Sequence, residues 1–511
     1  MTFTYDFLVP LVVVLPLIGA GLTVVTGQHT RVQRFISGTT LASVVAISGI
    51  MLYATDQVRM LSVRVGGWPV EQGIVLVVDR LSALMLVVST VVTFAVMLYS
   101  SGQGDRSDDE DEHDGGAPLP IFHPTLLVLS AGVSTTFISG DLFHLYVGFE
   151  MLLFASFVLL TLGGTTERVR AGVNYVMVNL LSSLVFLTAI ALVYAATGTV
   201  NLARLALRIP ELPESTQLML QAMLLLGFCI KAAVFPMSGW LPDSYPTAPA
   251  PVTAVFAGLL TKVGVYSLIR VQTLLFPDDR LHTVLMWAAL LTMVIGIMGA
   301  VAQDDIKRIL SYTLVSHIGY MLFGLAVGNI TGLSASIYYV VHHITIQTTL
   351  FLVTGLVELK RGTTSIAKLG GLTVTAPLLS LLFFIPAMNL SGIPPLSGFI
   401  GKVGLLQAGA ELGTPLAYIL LGGSALTSLL TLYAMSRVWA RAFWRSPVED
   451  YVTPQLAPLT RGVVLPATLL VVFGLMLTVF GGQLFGIADR AAQTLHERTP
   501  YLSTVLGERG R

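Results

Sequence analysis

The sequence consists of long apolar stretches that follow one another with only short polar segments between them. Of its 511 residues, 54% are hydrophobic and 11% are charged, whereas a soluble domain carries about 25% charged residues. A helix that crosses a bilayer needs about 20 mainly apolar residues, and stretches of this length recur from Phe7 to residue 486. The chain is therefore predicted to be a polytopic membrane protein.

The spanning segments are predicted to be α-helices. Backbone amides in hydrocarbon must be paired inside the protein, which leaves helices or a closed barrel, and the alternating strands of about 10 residues that a barrel needs are not seen. An all-α fold of about fourteen spans joined by short loops is expected. The predicted spans are 7–26, 35–54, 78–100, 121–139, 141–162, 169–197, 217–237, 249–271, 281–302, 309–328, 332–358, 374–410, 415–440 and 462–486.

Charge and cysteine content exclude several classes of function. The formal net charge is zero, which argues against nucleic-acid binding. The single cysteine, Cys229, excludes a disulfide framework and any metal site built only from cysteines. The sequence also lacks a Walker A motif, a dinucleotide-binding glycine motif and an HExxH motif, so we expect no cofactor and no bound metal.

Loop charges predict how the chain is oriented. Cytoplasmic loops carry an excess of lysine and arginine, and this rule places the N-terminus outside the cell membrane. The segment from Asp105 to Asp114 holds seven acidic residues and one arginine, a composition typical of a solvated, disordered loop.

Charged side chains inside predicted spans are rare and energetically costly, so each is a candidate functional residue. Glu150, Lys231, Lys262 and Lys402 lie inside such spans. A carboxylate alone in hydrocarbon takes up a proton unless a cation lies near it, and a buried lysine can release one. We therefore interpret these four residues as proton-binding sites.

Two spans are interrupted, each close to one of these lysines. Segment 236–242 follows Lys231 and contains two prolines and one glycine, whereas segment 392–401 precedes Lys402 and contains two prolines and three glycines. Non-helical backbone at membrane depth is tolerated only where it lines a cavity or packs on protein. A pair of interrupted helices is typical of transporters built from inverted repeats.

A histidine pair, His342 and His343, lies in the span 332–358. Neighbours on a helix project about 100° apart, so the two cannot share a face, whereas His343 and Gln347 can line one polar stripe. Histidine titrates near neutral pH, which suits a proton relay.

Three further residues have weaker signals. Lys307 lies at a span entrance, where a membrane-surface anchor explains it as well as a proton site does. His144 and His317 are better explained as core histidines with satisfied hydrogen bonds.

Three sequence blocks carry a family resemblance: PMSGWLPDSYPTAPAPVTAVFAGLLTKVGVY at 236–266, QDDIKRILSYTLVSHIGYM at 303–321 and GIPPLSGFIGK at 392–402. They resemble the antiporter-like subunits shared by respiratory complex I and the multisubunit Mrp cation/proton antiporters. The segments GGWPVEQGIVLVVDRLSALM, TAPAPVTAVFAG and FFIPAMNLSGIPPLSGFIGK look closest to the D subunits of the Mrp antiporters. The resemblance is most specific over residues 75–445.

The resemblance implies fourteen helices, two inverted five-helix repeats and breaks in helices seven and twelve. On this basis we divide the chain into helices one to three with an acidic loop at 101–120 (1–120), a first repeat (121–271), a second repeat (281–440), and a last helix with a C-terminal tail (441–511). It also implies a bacterial inner membrane location and partner subunits of the A, B, C, E, F and G types, beside protons and membrane lipid.

The resemblance further implies a role for each candidate residue on a polar axis at the bilayer midplane. Matched motif by motif, the helix-five glutamate is Glu150, the lysines of helices seven, eight and twelve are Lys231, Lys262 and Lys402, the lysine of the DIKR segment is Lys307, and the helix-eleven histidines are His342 and His343. Relatives commonly place a lysine where this chain has Gln347, so the helix-eleven step of the relay departs from the family pattern.

Three functions remain open at this point. The favoured one is a proton-translocating subunit of a sodium/proton antiporter, in which Glu150 and Lys231 form an ion pair at close range. The second is a proton-pumping subunit of an NADH-quinone oxidoreductase. The third is a structural membrane scaffold, in which removal of the Glu150 and Lys402 charges leaves transport unchanged.

Overall fold

The fold was analysed in a computed structural model that describes residues 5–27, 29–103, 120–446 and 459–507. The acidic segment from Asp105 to Asp114 lies outside these residues. The α-helices are α1 Leu11–Val25, α2 Thr30–Val58, α3 Arg80–Gln103, α4 Phe122–Ile138, α5 Leu142–Leu160, α6 Thr166–Thr197, α7 Leu202–Arg208, α8 Glu214–Ala232, α9 Trp240–Ser244, α10 Ala250–Val255, α11 Thr261–Leu274, α12 His282–Val301, α13 Ile306–Val327, α14 Ile330–Arg361, α15 Leu372–Thr375, α16 Pro377–Ser391, α17 Ser397–Leu412, α18 Pro415–Val438, α19 Arg461–Val479, α20 Gly481–Glu497 and α21 Thr499–Leu506.

The predicted all-α membrane fold is confirmed. Within the described ranges, twelve helical segments are long and apolar enough to cross a membrane, and α4 and α16 are shorter apolar helices. Together they coincide with the predicted spans, although 374–410 is divided between α16 and α17. The total of fourteen spans stays a prediction.

One small sheet was not predicted. Strands β1 (Met60–Arg64) and β2 (Val75–Asp79) form an antiparallel hairpin between α2 and α3. Its sequence was assigned partly to a loop and partly to the start of a span, because five-residue strands of mixed polarity carry little periodic signal.

The centre of the molecule is formed by the helices that carry most of the candidate residues. In the most apolar stretch of the span Ala250–Leu274 and of helix α14 every residue is buried, and in α13 nearly every residue is, whereas only about a third of the residues are buried in α1, α2, α18 and α19. Apolar helices buried all round mark a protein interior, while one-sided burial fits helices that face lipid. The ionisable residues within these buried stretches are therefore shielded from lipid by protein.

Both interrupted helices end in the same way. α8 ends at Ala232, and Ala233 takes a left-handed conformation with φ of 58° while its N–H donates to the carbonyls of Cys229 and Ile230. α16 ends at Ser391, and Gly392 takes φ of 83° while its N–H donates to Met388 and Asn389. A cis proline follows in each case, at Pro236 and at Pro395. The division of the chain into inverted repeats stays a prediction.

Candidate functional site: a buried polar axis

The first interrupted helix, α8, has a lysine near its end that lacks a hydrogen-bond partner. Lys231 is the penultimate residue of α8 and only 6% exposed, and neither its Nζ nor Glu150 Oε1 has a hydrogen-bond partner. The direct ion pair predicted for these two residues is therefore wrong for this conformation. Lys231 Nζ instead lies 5.6 Å from the centroid of the Phe149 ring, a cation–π contact, with Glu150 within electrostatic range.

A small cavity adjoins this lysine. It has a volume of about 10 Å³ and is lined by Lys231, Ser182 and Ser183, with aromatic rings on its other sides. A site of that size is about the minimum that holds one water molecule. The cavity beside Lys231 thus has room for about one water molecule.

Lys262 is the most deeply buried of the candidate lysines. It is fully buried near the start of α11, and its Nζ donates to the Ala257 carbonyl at 2.5 Å. Ala257 belongs to a π-helical segment, Phe256–Leu260. Such segments disturb the regular hydrogen-bond ladder of a helix and occur often at functional sites.

A histidine cluster occupies the centre of the molecule. The rings of His317 and His343 lie 5.2 Å apart, and both nitrogens of His343 lack a hydrogen-bond partner. His317 Nδ1 bonds the Tyr339 hydroxyl at 2.8 Å, and its Nε2 lies 3.4 Å from Thr431 Oγ1. His343 interacts electrostatically with both Lys262 and Lys402, so the cluster bridges the two lysines.

At the second interruption, between α16 and α17, the lysine is Lys402, and it has hydrogen-bond partners. Lys402 Nζ donates to the carbonyls of Leu390 and Ser391 at 3.2 and 3.0 Å, and to Ser428 Oγ at 2.9 Å. The carbonyls at a helix C-terminus carry partial negative charge, so the end of α16 binds the ammonium. His342 Nδ1 bonds Ser397 Oγ at 2.9 Å across the same break.

Lys307 lies apart from the other candidates, at the first turn of α13. Its Nζ is 2.7 Å from the carboxylate of Glu358, near the end of α14. The lysine side chain is 10% exposed and the glutamate 40%, which places this pair at the edge of the buried region. Between the pair and His343, Gln347 Nε2 donates to the Leu310 carbonyl at 2.7 Å.

We call Glu150, Lys231, Lys262, His343, His317, His342 and Lys402 the polar axis. The interpretation of His317 as a core histidine with satisfied hydrogen bonds agrees with its contacts to Tyr339 and Thr431. Sequence reasoning missed Glu358 and Tyr339, because α13 and α14 are buried on nearly all sides and no apolar stripe marks a functional face. No group of three or more His, Cys, Asp or Glu within the described ranges is arranged to hold a metal ion.

The fold and the polar axis define a polytopic membrane protein of the transporter class, with ionisable residues enclosed by helices. A family model described as "NADH:quinone oxidoreductase/Mrp antiporter, TM" matches residues 139–428. A second, described as "NADH-Ubiquinone oxidoreductase (complex I), chain 5 N-terminus", matches residues 66–102. The chain belongs to this family of NADH:quinone oxidoreductase and Mrp antiporter membrane subunits, as its motifs indicated.

Within the family, the chain is similar to D subunits. It is 37% identical to the D subunit of the Na(+)/H(+) antiporter of Alkalihalophilus pseudofirmus, covering 98% of this chain and 99% of that protein. It is 35% identical to the corresponding D subunit of Bacillus subtilis, covering 97% and 98%. A chain of the Mrp complex from a Dietzia species superposes with a TM-score of 0.91 at 30% identity, covering 99% of this chain and 100% of that one.

A more distant structure has the same fold. A chain of the membrane-bound sulfane sulfur reductase, an archaeal respiratory membrane complex, has a TM-score of 0.88 at 24% identity, with 98% of this chain and 99% of that chain covered. That likeness concerns the fold alone.

Proposed function

We propose that this chain is the D-type subunit of a multisubunit sodium/proton antiporter and that it translocates protons. Full-length relatives at 35% and 37% identity are named as D subunits of Na(+)/H(+) antiporters, which supports the proposal. Its partners would be the A, B, C, E, F and G type subunits of one complex. The chain would act as a secondary transporter subunit rather than an enzyme, in a bacterial inner membrane with the N-terminus outside.

One observation carries the proposal: three lysines, a partly buried glutamate and three histidines lie among the helices, with Glu150 in electrostatic range of Lys231, and His343 in range of Lys262 and Lys402. Buried ionisable side chains at membrane depth are expensive and are kept where ions or protons move. Several atoms of the series, such as Lys231 Nζ and both nitrogens of His343, have no hydrogen-bond partner. They therefore have capacity to accept or donate a proton through water.

The proposed route runs along the polar axis. A proton enters near Glu150 and Lys231, crosses through Lys262 and the histidines, and leaves by Lys402. Because close ionisable groups titrate as a coupled set, a proton that arrives at one lysine alters the charge balance at its neighbour. At 4 Å, two unit charges interact by about 4 kcal/mol at an effective dielectric constant of 20, which is enough to open or close an ion pair.

The two interrupted helices hold their lysines differently, which suggests a different role for each lysine in proton transfer. Lys402 is held at the carbonyl end of α16, whereas Lys231 is held over an aromatic ring without a hydrogen bond. In the proposed cycle, Lys231 has two positions. In one it lies next to Glu150 and forms an ion pair, and in the other, seen in the present conformation, it lies over the Phe149 ring. Lys307 and Glu358 would form a relay between the axis and water at the molecular boundary, with Gln347 between them and His343.

The domain division is part of the same proposal. Residues 121–271 and 281–440 would be the two inverted repeats, with 1–120 and 441–511 flanking them. α8 and α16 end alike, with φ of 58° and 83° at the residues that follow. This likeness supports the assignment of Lys231 and Lys402 to equivalent positions in the two repeats.

A redox-linked role is the second candidate, because the family description includes NADH:quinone oxidoreductase. The names of the most similar relatives favour the antiporter. Purification of the native complex separates the two: small antiporter subunits support the first function, while flavin and iron–sulfur partners with NADH-dependent pumping support the second.

The test of proton translocation uses everted membrane vesicles that contain the whole complex. Glu150→Ala and Lys231→Ala are each expected to abolish sodium-dependent proton movement, measured with a pH-sensitive dye, while subunit assembly on native gels is unchanged. Lys360→Ala, at the end of α14, is the matched control and should behave as wild type. Wild-type antiport in Glu150→Ala and Lys231→Ala would instead support a structural scaffold.

A further inference from the structure

A second site lies away from the polar axis, where the β1–β2 hairpin meets the beginning of α5 and the end of α6. The loop 70–74, the residues around Asp141 and the segment 198–201 enclose a cleft of about 490 Å³. Ligand-binding clefts commonly measure about 300–1,000 Å³. The cleft is therefore large enough for a small molecule or for the polar end of a lipid.

The lining of this cleft changes character from one end to the other. One wall is apolar and consists of Phe143, Leu187, Ala191 and Tyr194; Phe143 is 52% exposed and Tyr194 58%. The opposite rim is polar and includes Asp141 and Asn201. Because spanning helix α5 begins here and α6 ends here, the change from polar to apolar coincides with the boundary between water and membrane.

Two buried side chains on the polar rim offer opposite hydrogen-bonding capacity. Asp141 is 6% exposed and caps α5 by accepting a hydrogen bond from the His144 N–H at 2.6 Å. Asn201 is 4% exposed, and its Oδ1 accepts from Ala203 and Arg204 N–H at 3.1 and 3.2 Å. That double contact fixes the amide orientation, so Nδ2 is the donor, and Nδ2 has no partner.

The carboxylate and the amide donor are neighbours, because Asp141 and Asn201 pair in an antiparallel bridge. No basic side chain is hydrogen-bonded to Asp141 among the described residues, since the nearby Arg204 pairs with Glu71 at 3.7 Å, and a buried carboxylate without a countercharge is costly. A ligand that brings both a cation and an acceptor would satisfy both side chains. An amine-bearing phospholipid headgroup has this combination, with an ammonium and a phosphate a few atoms apart.

We propose that this cleft binds a phospholipid with a primary ammonium headgroup. The ammonium bonds Asp141, a phosphate oxygen accepts from Asn201 Nδ2, and the acyl chains lie on the wall formed by Phe143, Leu187, Ala191 and Tyr194. A primary ammonium donates three hydrogen bonds, whereas a choline group donates none. This site is independent of the proposed proton route.

The first test measures lipid retention by the intact complex. The complex is incorporated in nanodiscs that contain equal amounts of phosphatidylethanolamine and phosphatidylcholine, and bound lipids are counted by native mass spectrometry after partial delipidation. The wild type should retain phosphatidylethanolamine about tenfold or more over phosphatidylcholine, the effect of a charge-assisted hydrogen bond. Asp141→Asn should bring that ratio close to one, and Glu214→Gln, at the start of α8, is the charge-matched control.

A second pair of variants tests the apolar wall without touching the helix cap. Ala191→Trp fills the cleft and should remove the retained lipid, whereas Ala195→Trp, one turn further along α6 and also exposed, should not. Equal retention of the two lipids by wild type, or unchanged retention in Ala191→Trp, overturns the proposal.

Cross-linking distinguishes the other possible occupant, a segment of a neighbouring subunit. Cys229 is the only cysteine in the sequence and is replaced by alanine so that Leu187→Cys can be labelled with a photoreactive group in native membranes. Adducts to lipid support the proposal. Adducts to another subunit as the main product overturn it.

Discussion

At the scale of single residues, the lysines of the polar axis differ in how they are held. Lys402 Nζ has three hydrogen-bond acceptors, Lys262 Nζ has one carbonyl, and Lys231 Nζ has none. Because the acceptors of Lys402 include two carbonyls at the end of a helix, its positive charge is stabilised by the helix dipole. The proposed function requires that this lysine nevertheless release a proton.

The variant Lys402→Arg tests whether Lys402 acts by releasing a proton or only by its positive charge. Arginine keeps the positive charge and the donors but is not deprotonated in proteins. We expect sodium-dependent proton movement in everted vesicles to fall on the order of 10²-fold or more, the usual effect of losing a proton-transfer group, with the complex still assembled. Lys360→Arg is the control. Wild-type transport by Lys402→Arg would mean that Lys402 acts only through its charge.

The sequence was informative about which residues are unusual and less so about their partners. Glu150, Lys231, Lys262 and Lys402 were recognised because a charge inside an apolar span is conspicuous. His317 was assigned to the core, and its contacts with Tyr339 and His343 depend on how α13 and α14 pack, which a helix buried all round does not reveal. The ion pair of Glu150 and Lys231 was expected from the family resemblance and the opposite charges, whereas Lys231 Nζ lies over the Phe149 ring.

At the scale of elements, the broken helices place the lysines. The proline and glycine segments predicted both interruptions. The left-handed conformation of Ala233 was not predictable, since a residue other than glycine rarely adopts φ of 58°. The π-helical segment before Lys262 was likewise missed, because its sequence reads as ordinary helix.

Gly392→Ala tests whether the end of α16 positions Lys402. An added Cβ at Gly392 would lie 2.9 Å from Lys402 Cδ and 3.1 Å from its Nζ, and the residue has φ of +83°. Gly413 has φ of +65° with no atom closer than 3.9 Å, so Gly413→Ala carries similar backbone strain, about 1–2 kcal/mol, without the clash.

Both glycine variants should lower the midpoint of thermal unfolding of the purified complex by similar amounts. Only Gly392→Ala should also lose sodium-dependent proton movement. Equal transport by the two variants, at equal amounts of assembled complex, would show that this helix end does not set the position of Lys402.

At the scale of the whole molecule, a second buried network ties distant parts of the chain together. Arg270 of α11 donates to both oxygens of Asp79, at the end of β2, at 2.6 and 2.8 Å. The Arg270 guanidinium also lies 5.6 Å from the centroid of the Tyr501 ring in α21. The hairpin, a central helix and a C-terminal helix therefore meet at one ion pair. Arg270 falls at the end of the predicted span 249–271, and the sequence did not reveal the pair, because its partner lies 191 residues away.

The Asp79–Arg270 pair is expected to act in stability rather than in transport. Asp79→Leu and Arg270→Met should each destabilise the complex by about 3–5 kcal/mol, because either leaves a buried charge unpaired. The double variant should recover much of that loss, since a buried pair can be replaced by apolar residues with little penalty. Thermal unfolding of the four proteins measures the coupling, and simple additivity of the two losses would contradict it.

The central claim is that protons cross the molecule through the polar axis, and Lys262 is its fully buried midpoint. The most direct measurement is proton flux into liposomes that contain the purified complex, driven by a sodium gradient and followed with an internal pH dye. Lys262→Met keeps the length of the side chain and removes its charge, and Lys360→Met is the control. The account predicts no sodium-driven flux for Lys262→Met and normal flux for Lys360→Met, whereas wild-type flux through Lys262→Met would contradict it.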